Sequence, residues 1–282
     1  MTAQQALIAA VATLRGAGVE DPARDARLLL AQALEIAYDR LNMHLHDAIP
    51  EPAQERLAAL VKTRASRVPM AQILGHRLFW GRSFKVTKDT LDPRPETEVL
   101  VQEAISRPFF NALDLGTGTG CILISCLMSM PMARGLGVDL APEALKVAEE
   151  NARTHGAKAR FMVSDWFGAV QGRFDLIVSN PPYIAEAEMA ALSPEVLHEP
   201  LMALTPGGDG LEPYRIIARG APARLLPGGR LIVEIGPTQG AQVAGFFAAQ
   251  GLGDIRILKD LDGRDRVVSA EKPAENRDCA AT

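Results

Sequence analysis

The stretch most able to do chemistry is Asn180-Pro181-Pro182-Tyr183, directly after the apolar run Phe174-Asp175-Leu176-Ile177-Val178-Ser179. Two consecutive prolines fix the backbone and remove two N–H donors, which leaves the carbonyls of Asn180 and Pro181 free to face a ligand as acceptors. Asn180 adds a side-chain oxygen, and Tyr183 adds an aromatic face that can stack on a planar group. Such a loop is a rigid receptor for a planar NH2. The nitrogen of an amide or aryl NH2 is a poor nucleophile because its lone pair is delocalised. Two acceptors that hold its hydrogens pin the lone pair toward an electrophile and stabilise the positive charge that grows on nitrogen. A methyl group on a sulfonium suits that geometry, and positioning alone lowers a barrier by roughly 7 to 11 kcal/mol in well-oriented systems.

A second constellation lies upstream. Asn111-Ala112-Leu113-Asp114-Leu115 runs into Gly116-Thr117-Gly118-Thr119-Gly120, and a helical apolar stretch follows. Strand, tight glycine turn and helix N-terminus together form the place where α/β sheets bind nucleotide-like ligands. The spacing is G-x-G-x-G, not the G-x-G-x-x-G of dinucleotide enzymes. Gly135-Leu136-Gly137-Val138-Asp139 ends in a carboxylate that can accept from both ribose hydroxyls. Ser164-Asp165-Trp166, at the end of the next strand, offers an acid for an adenine amine and an aromatic to pack beside it. Each feature alone is ordinary loop chemistry. Together, at the ends of neighbouring strands, they predict a nucleoside site beside the NH2 receptor.

These residues need a frame. From Ala3 to about Arg67 apolar residues recur at helical spacing. Gly16 and Gly18 stop a first helix, Asp21 and Pro22 start a second, Asp39 is placed to cap a third, and 51–66 forms another, which predicts a small helical bundle. Between Val68 and Pro95 the period changes, and Trp80-Gly81-Arg82-Ser83 reads as the turn of a hairpin-like connector. A helix over 97–106 then leads into alternating strands and helices, the pattern of a parallel sheet covered on both faces. The expected strands are 111–115, 135–139, 159–164, 176–179, 230–235 and 254–259, with a last one near 266–270. The expected division is 1–75 helical, 76–95 connector and 96–282 catalytic, with 271–282 a loose tail.

The 282 residues are enough for two domains, and 48% hydrophobic with 23% charged residues is the composition of an ordinary globular protein. Thirty basic and 34 acidic side chains leave a net charge of -4, which argues against a protein held to nucleic acid by phosphate neutralisation. Cys121, Cys126 and Cys279 form neither a disulfide framework nor a zinc spacing, and no pair among His44, His46, His76, His155 and His198 has metal spacing. The uncharged run from Leu115 to Ala133 is broken by glycines and Pro131, so no membrane span is expected there, and the N-terminus lacks the basic start of a secretory signal. A cytoplasmic, metal-free protein is the expectation.

These motifs resemble the class I S-adenosylmethionine-dependent methyltransferases, and the Asn-Pro-Pro-Tyr loop narrows the resemblance to enzymes that methylate a planar NH2. Three further stretches are similar to the connector of the PrmC (HemK) family, the N5-glutamine methyltransferases of peptide chain release factors. They are Pro69-Met70-Ala71-Gln72-Ile73-Leu74-Gly75, Phe79-Trp80-Gly81 and Pro93-Arg94-Pro95-Glu96-Thr97-Glu98. His198-Glu199-Pro200 and Asp209-Gly210-Leu211 also match that family. The resemblance implies a Rossmann-like methyltransferase sheet behind an all-α domain that helps to grip the release factor. It implies S-adenosylmethionine as cofactor, leaving as S-adenosylhomocysteine, and the glutamine of a Gly-Gly-Gln loop as acceptor. Residue by residue, Gly116, Thr117, Gly118, Thr119 and Gly120 match the cofactor loop, Asp139 the ribose acid, and Asp165 and Trp166 stand at the cofactor pocket. Asn180 to Tyr183 match the substrate-amide site, with Asn180 near both ligands. Arg94 and Glu96, in a segment that family places near the active site, are further substrate-binding candidates, with Glu98 beside them. Asp92 departs from the pattern, which has an apolar residue before Pro-Arg-Pro.

Two other acceptors suit the same loop: an exocyclic amine of a nucleic acid, adenine N6 or guanine N2, and a glutamine of a ribosomal protein. The first would need base flipping and a basic channel, against which the acidic balance stands. The second is disfavoured by Pro-Arg-Pro-Glu-Thr-Glu. A nicotinamide dehydrogenase is opposed by the glycine spacing, and a non-catalytic module by the presence of cofactor loop and NH2 receptor in one chain. A monomer without direct nucleic-acid contact is expected.

Overall fold

The computed structural model describes residues 1–274, so Cys279 and residues 275–282 of the expected tail lie outside the described residues. The chain forms two compact units, one of residues 1–76 with 192–198, the other of 77–191 with 199 onward.

The first unit contains α1 (Ala3–Gly16), α2 (Pro22–Leu34), a 3₁₀ turn over Tyr38–His44, α3 (Glu51–Ala65) and the short α4 (Met70–Leu74). Thr2 and Gln5 make a reciprocal capping box at the start of α1, and the Asp21 side chain caps α2 at the backbone N–H of Arg24 with Pro22 as first helical residue. Asp39 does not cap: the turn starts after Ala37 without a side-chain cap, and Asp39 lies inside it. Leu14, Leu29, Leu30 and Leu41 are fully buried at the centre of the bundle. Arg64 donates to Asp25 at 2.7 Å and to Glu195 at 3.0 Å, and Arg67 donates twice more to Glu195 at 2.6 and 2.7 Å. Burial opposes the charge on Glu195, but these guanidinium bonds outweigh it and hold the carboxyl down to about 2.

A hairpin of β1 (His76–Phe79) and β2 (Arg82–Lys85) follows, in the second unit from Arg77 onward. Its turn is Trp80-Gly81 alone, both at positive φ (49° and 69°), which is the I′ geometry that matches strand twist. Arg82 and Ser83, expected in the turn, already belong to β2. After a single 3₁₀ turn over Pro95–Thr97 follow α5 (Glu98–Ile105), β3 (Asn111–Leu115), α6 (Cys121–Ser129), β4 (Arg134–Asp139), α7 (Pro142–His155), β5 (Ala159–Val163) and β6 (Phe174–Ser179). Then come α8 (Leu201–Leu204), α9 (Glu212–Arg224), β7 (Leu225–Glu234), α10 (Gly240–Ala249), β8 (Gly253–Lys259) and β9 (Asp265–Glu271). Helix α5 starts one residue later than expected, leaving Thr97 buried beneath it.

The sheet has the order β5-β4-β3-β6-β7-β9-β8. Its first five strands are parallel, and β9 runs antiparallel to both neighbours. Alternate residues of each central strand serve opposite faces. Leu113, Ile177 and Leu231 join the core under α9 and α10, while Ala112, Leu176 and Ile232 join the core under α5 and α6. This explains the near-continuous apolar reading of the strands. The chain order reverses between β3 and β6, which opens a crevice at their carboxyl ends. Glu271 closes β9, and Lys272 donates from its backbone to Gly229 at 2.8 Å, so the chain stays anchored into the first residues of the expected tail. The run from Leu115 to Ala133 is a strand end, a loop and the nine-residue α6. Among the described residues no helix is long and apolar enough to cross a membrane.

Candidate active site

An open cleft lies at the carboxyl ends of β3, β4, β5 and β6 and is lined by Gly116, Gly118, Asp139, Asp165, Trp166, Asn180 and Pro182.

Its floor is the turn from β3 into α6. Gly116, Gly118 and Gly120 all have positive φ, and a side chain at 116 or 118 would project into open space. Gly120 serves packing: a Cβ there would press on Ile124 and Ala148. Thr117 and Thr119 are buried and do not line the cleft. The Thr117 hydroxyl donates to Asp114 at 2.6 Å, and the Thr119 carbonyl accepts from Asn151, whose other end accepts from the backbone of Lys85. Asn151 thereby ties the hairpin to the glycine loop. Asp114 is fully buried, and its Oδ1 has no partner. Burial first, relieved in part by Thr117, pushes its carboxyl up to about 7.

Asp139 ends β4 and is gripped on both oxygens: Gly118 donates to Oδ2 and Ala141 to Oδ1, each at 2.9 Å. Asp139 also lines the cleft. Trp166 holds a left-handed backbone (φ 47°), secured by the Ser164 hydroxyl donating to its carbonyl at 2.8 Å, which turns Asp165 and Trp166 into the cleft. The open space at Gly116 and Gly118 and the carboxylate of Asp139 in the cleft wall fit S-adenosylmethionine, a nucleoside carrying an amino-acid arm.

Asn180 and Pro182 form the next wall. The Nδ2 of Asn180 lies 3.5 Å from the Thr97 hydroxyl oxygen. Pro181 is buried and outside the lining. Tyr183 is likewise outside the lining and packs against the sheet core, so its ring is not the exposed stacking face that the sequence suggested. Burial raises the Tyr183 phenol far above its ordinary range. Behind the loop, Glu234 is 1% exposed and pushed up to about 7 by burial.

Arg94 and Glu96 do not line the cleft. Arg94 donates to both oxygens of buried Glu199 at 2.7 and 2.9 Å, next to Pro200, which does line it. Asp92 is buried 3.7 Å from Arg77, and burial raises its carboxyl. The departure from an apolar residue is thus met by a cation on the hairpin. Glu98 accepts from the backbone N–H of Trp80 at 2.8 Å, a structural bond.

Sequence reasoning missed Asp89, Thr90 and Leu91, which cross one side of the cleft, and the apolar Leu140 and Met202. It also missed Gln239, whose amide bridges Gly236 and the Tyr183 carbonyl, both at 2.9 Å. His198 is exposed and bonds to the Ser66 carbonyl at 3.1 Å within the first unit. Cys121 and Cys126 are buried in the core, where burial raises both thiols, that of Cys121 to about 12. No group of three or more potential metal ligands occurs among the described residues.

Comparison with known proteins agrees with this geometry. A methyltransferase from Pyrococcus furiosus shares the fold, with a TM-score of 0.56 over 75% of this chain and 99% of that one at 17% identity. The profile described as "PrmC N-terminal domain" matches residues 5–75, and that described as "Methyltransferase small domain" matches 87–211. The release factor glutamine methyltransferase of Cereibacter sphaeroides is 58% identical over 97% of this chain and the whole of that protein. That of Rhodospirillum rubrum is 46% identical over 93% of this chain and 82% of its own length. With such identity along almost all of both units, the chain belongs to the release factor glutamine methyltransferase family.

Proposed function

We infer that the protein methylates the side-chain amide nitrogen, N5, of the glutamine in the Gly-Gly-Gln loop of peptide chain release factors, with S-adenosylmethionine as donor. One observation carries the reading: the NH2 receptor residues Asn180 and Pro182 share one cleft with the nucleoside residues Gly116, Gly118 and Asp139.

When bound, S-adenosylmethionine supplies an electrophilic methyl on a sulfonium. Gly116 and Gly118 let the backbone approach it, Asp139 accepts from its ribose, and Asp165 and Trp166 flank its base. Asn180 Oδ1 and the loop carbonyl of Pro181 accept the two hydrogens of the glutamine amide. Held so, the nitrogen presents its lone pair to the methyl, and the acceptors stabilise the charge that develops on it. No strong base is required, because orientation supplies most of the barrier lowering. Pro182 shapes the wall, and Tyr183 supports the loop from the core side. Arg94, through Glu199, steadies the Pro200 segment beside the cleft, and Glu96 stands behind the loop.

The first unit, matched by the PrmC N-terminal profile, is assigned to gripping the release factor. A monomer acting in the cytoplasm without direct nucleic-acid contact completes the reading, and the net charge of -4 supports its last element.

The test is transfer of labelled methyl from S-adenosylmethionine to unmethylated release factor, beside a copy with the Gly-Gly-Gln glutamine changed, duplex DNA and ribosomal RNA. Label on the native factor alone is expected. Label on nucleic acid would replace the acceptor and leave the loop chemistry standing.

A further inference from the structure

A second groove opens within the second unit and shares no lining residue with the cofactor cleft. Its apolar surface comes from Trp80 at the hairpin turn, Val99 on α5 and Leu261 in the turn between β8 and β9. Its carboxylates are Glu96, Glu98, Asp260 and Asp262, and among the described residues no cation lines it.

The fold brings these pieces to the reaction centre. β9 runs antiparallel to β7 with Val267 beside Glu234, so the turn that precedes β9 lies where β7 ends. The backbone N–H of Ile235 donates to the Arg266 carbonyl at 2.8 Å and fastens the turn there. On the other side Glu96 and Glu98 bracket Thr97, whose hydroxyl oxygen lies 3.5 Å from Asn180 Nδ2. Asn180 lines the cleft and the neighbours of Thr97 line the groove, so Thr97, which lines neither, stands between the two openings.

Two of the four carboxylates are already employed. Asp260 Oδ1 accepts from the backbone N–H groups of Asp262 and Arg264, each at 3.0 Å, and its Oδ2 accepts from Arg266 at 3.1 and 3.2 Å. Asp260 thereby shapes the turn, and Leu261 beside it is fully exposed. Glu98 accepts from the backbone of Trp80. Glu96 and Asp262, one beside α5 and one in the turn, have neither a side-chain hydrogen bond nor an ion pair among the described residues. Such a groove suits a chain that lays apolar stems along Trp80, Val99 and Leu261 and sets its cationic heads on Glu96 and Asp262. Lysine and arginine bury their methylene stems in this way, and a cation over an indole ring gains further attraction. The same carboxylates repel a phosphate backbone.

We propose that this groove docks a segment of the release factor that carries Lys or Arg and flanks its reactive glutamine. The proposal rests on the reading of the release factor as methyl acceptor. With the cofactor in the first cleft, the chain on one side of the inserted glutamine leaves across Thr97, and a few residues of extended chain, at about 3.3 Å each, cover that step.

The experiment measures kcat and KM for unmethylated release factor, and affinity for S-adenosylhomocysteine, in the wild type, D262K, L261S and E96Q. D262K and L261S replace exposed turn residues and are each expected to raise KM about threefold to tenfold, with kcat and cofactor affinity within about twofold. E96Q raises KM in the same direction. A photoreactive benzophenone side chain installed at position 261 is expected to crosslink the release factor on a peptide that carries Lys or Arg next to the Gly-Gly-Gln loop. D262K with wild-type KM overturns the proposal, and so does a crosslink that falls elsewhere on the release factor or on a second copy of this chain. If the wild type methylates the release factor while D262K and L261S keep its KM, the docking alone is wrong. If the wild type leaves the release factor unmethylated, the acceptor reading fails and takes the docking with it.

Discussion

The side-chain amide of Gln239 donates to the backbone carbonyl of Tyr183 at 2.9 Å while its oxygen accepts from Gly236, so one buried glutamine fastens the Asn-Pro-Pro-Tyr loop to the turn after β7. The loop has lost donors at Pro181 and Pro182 and cannot tie itself down through its own N–H groups. Gln239→Leu is therefore expected to lower kcat about tenfold while leaving cofactor affinity within about twofold, by loosening a preorganised site. Steady-state kinetics beside a cofactor titration checks it, and an unchanged kcat would remove the clamp from the account.

Asn180→Ala should leave the fold and cofactor binding intact and lower turnover by about 10²-fold or more, the scale of deleting one preorganised transition-state contact. Circular dichroism and methyl transfer to release factor together decide it. A near-wild-type rate would reject the role of Asn180.

For Asp139→Ala the expected loss is in cofactor affinity, by about tenfold to a hundredfold, since charge-assisted hydrogen bonds contribute about 1.5–3 kcal/mol. Calorimetric titration with S-adenosylhomocysteine measures it. Unchanged affinity would free Asp139 to be only the cap of Gly118 and Ala141.

Gly210 lies under the same loop, with φ +75° and no room for a Cβ, which would clash with the Tyr183 carbonyl oxygen. This is the physical content of Asp209-Gly210-Leu211. Gly210→Ala should destabilise the protein by about 1–3 kcal/mol through backbone strain alone, and by more if the loop cannot move away. Denaturant unfolding tests it; a change within error would mean that the loop yields freely.

Stability should fall as pH rises. Asp114, Glu199 and Glu234 are each pushed up to about 7, chiefly by burial. Their unfolded values lie near 4. Between the two, the folded state holds protons that the unfolded chain has lost, so their contribution is complete below about pH 4 and is lost as pH climbs through about 7. Glu195, held to about 2, works the other way and matters only in acid. The melting temperature of the ligand-free protein should decline between about pH 5 and 8, with Asp114→Asn flattening part of the slope. A flat profile would sink the idea.

Most of this frame can be read in the chain because it is written locally. Strand ends at Leu115, Asp139 and Ser179 coincide with the change from apolar run to glycine, acid or proline. What escapes is long-range. Arg230 looks like the polar start of a strand, yet it is 3% exposed and donates to the carbonyls of Glu103, Ala104 and Arg107, closing the end of α5. Glu234 did leave a trace, a carboxylate inside Leu231-Ile232-Val233-Glu234-Ile235, since a charge in a buried run calls for a reason. Gln239 left none, because nothing in its neighbours marks the carbonyl it reaches across the sheet. Tyr183 misled for the same reason, as its spacing places it at the site while packing turns its ring to the core.

The orientation of Asn180 has one more consequence. An enzyme that alkylates side-chain amides and keeps an amide of its own at the reaction centre carries a built-in risk of modifying itself. Asn180 Nδ2 lies 3.5 Å from the Thr97 hydroxyl; if Asn180 serves as the proposed acceptor, that contact would withhold the nitrogen of the protein's own amide from the methyl donor.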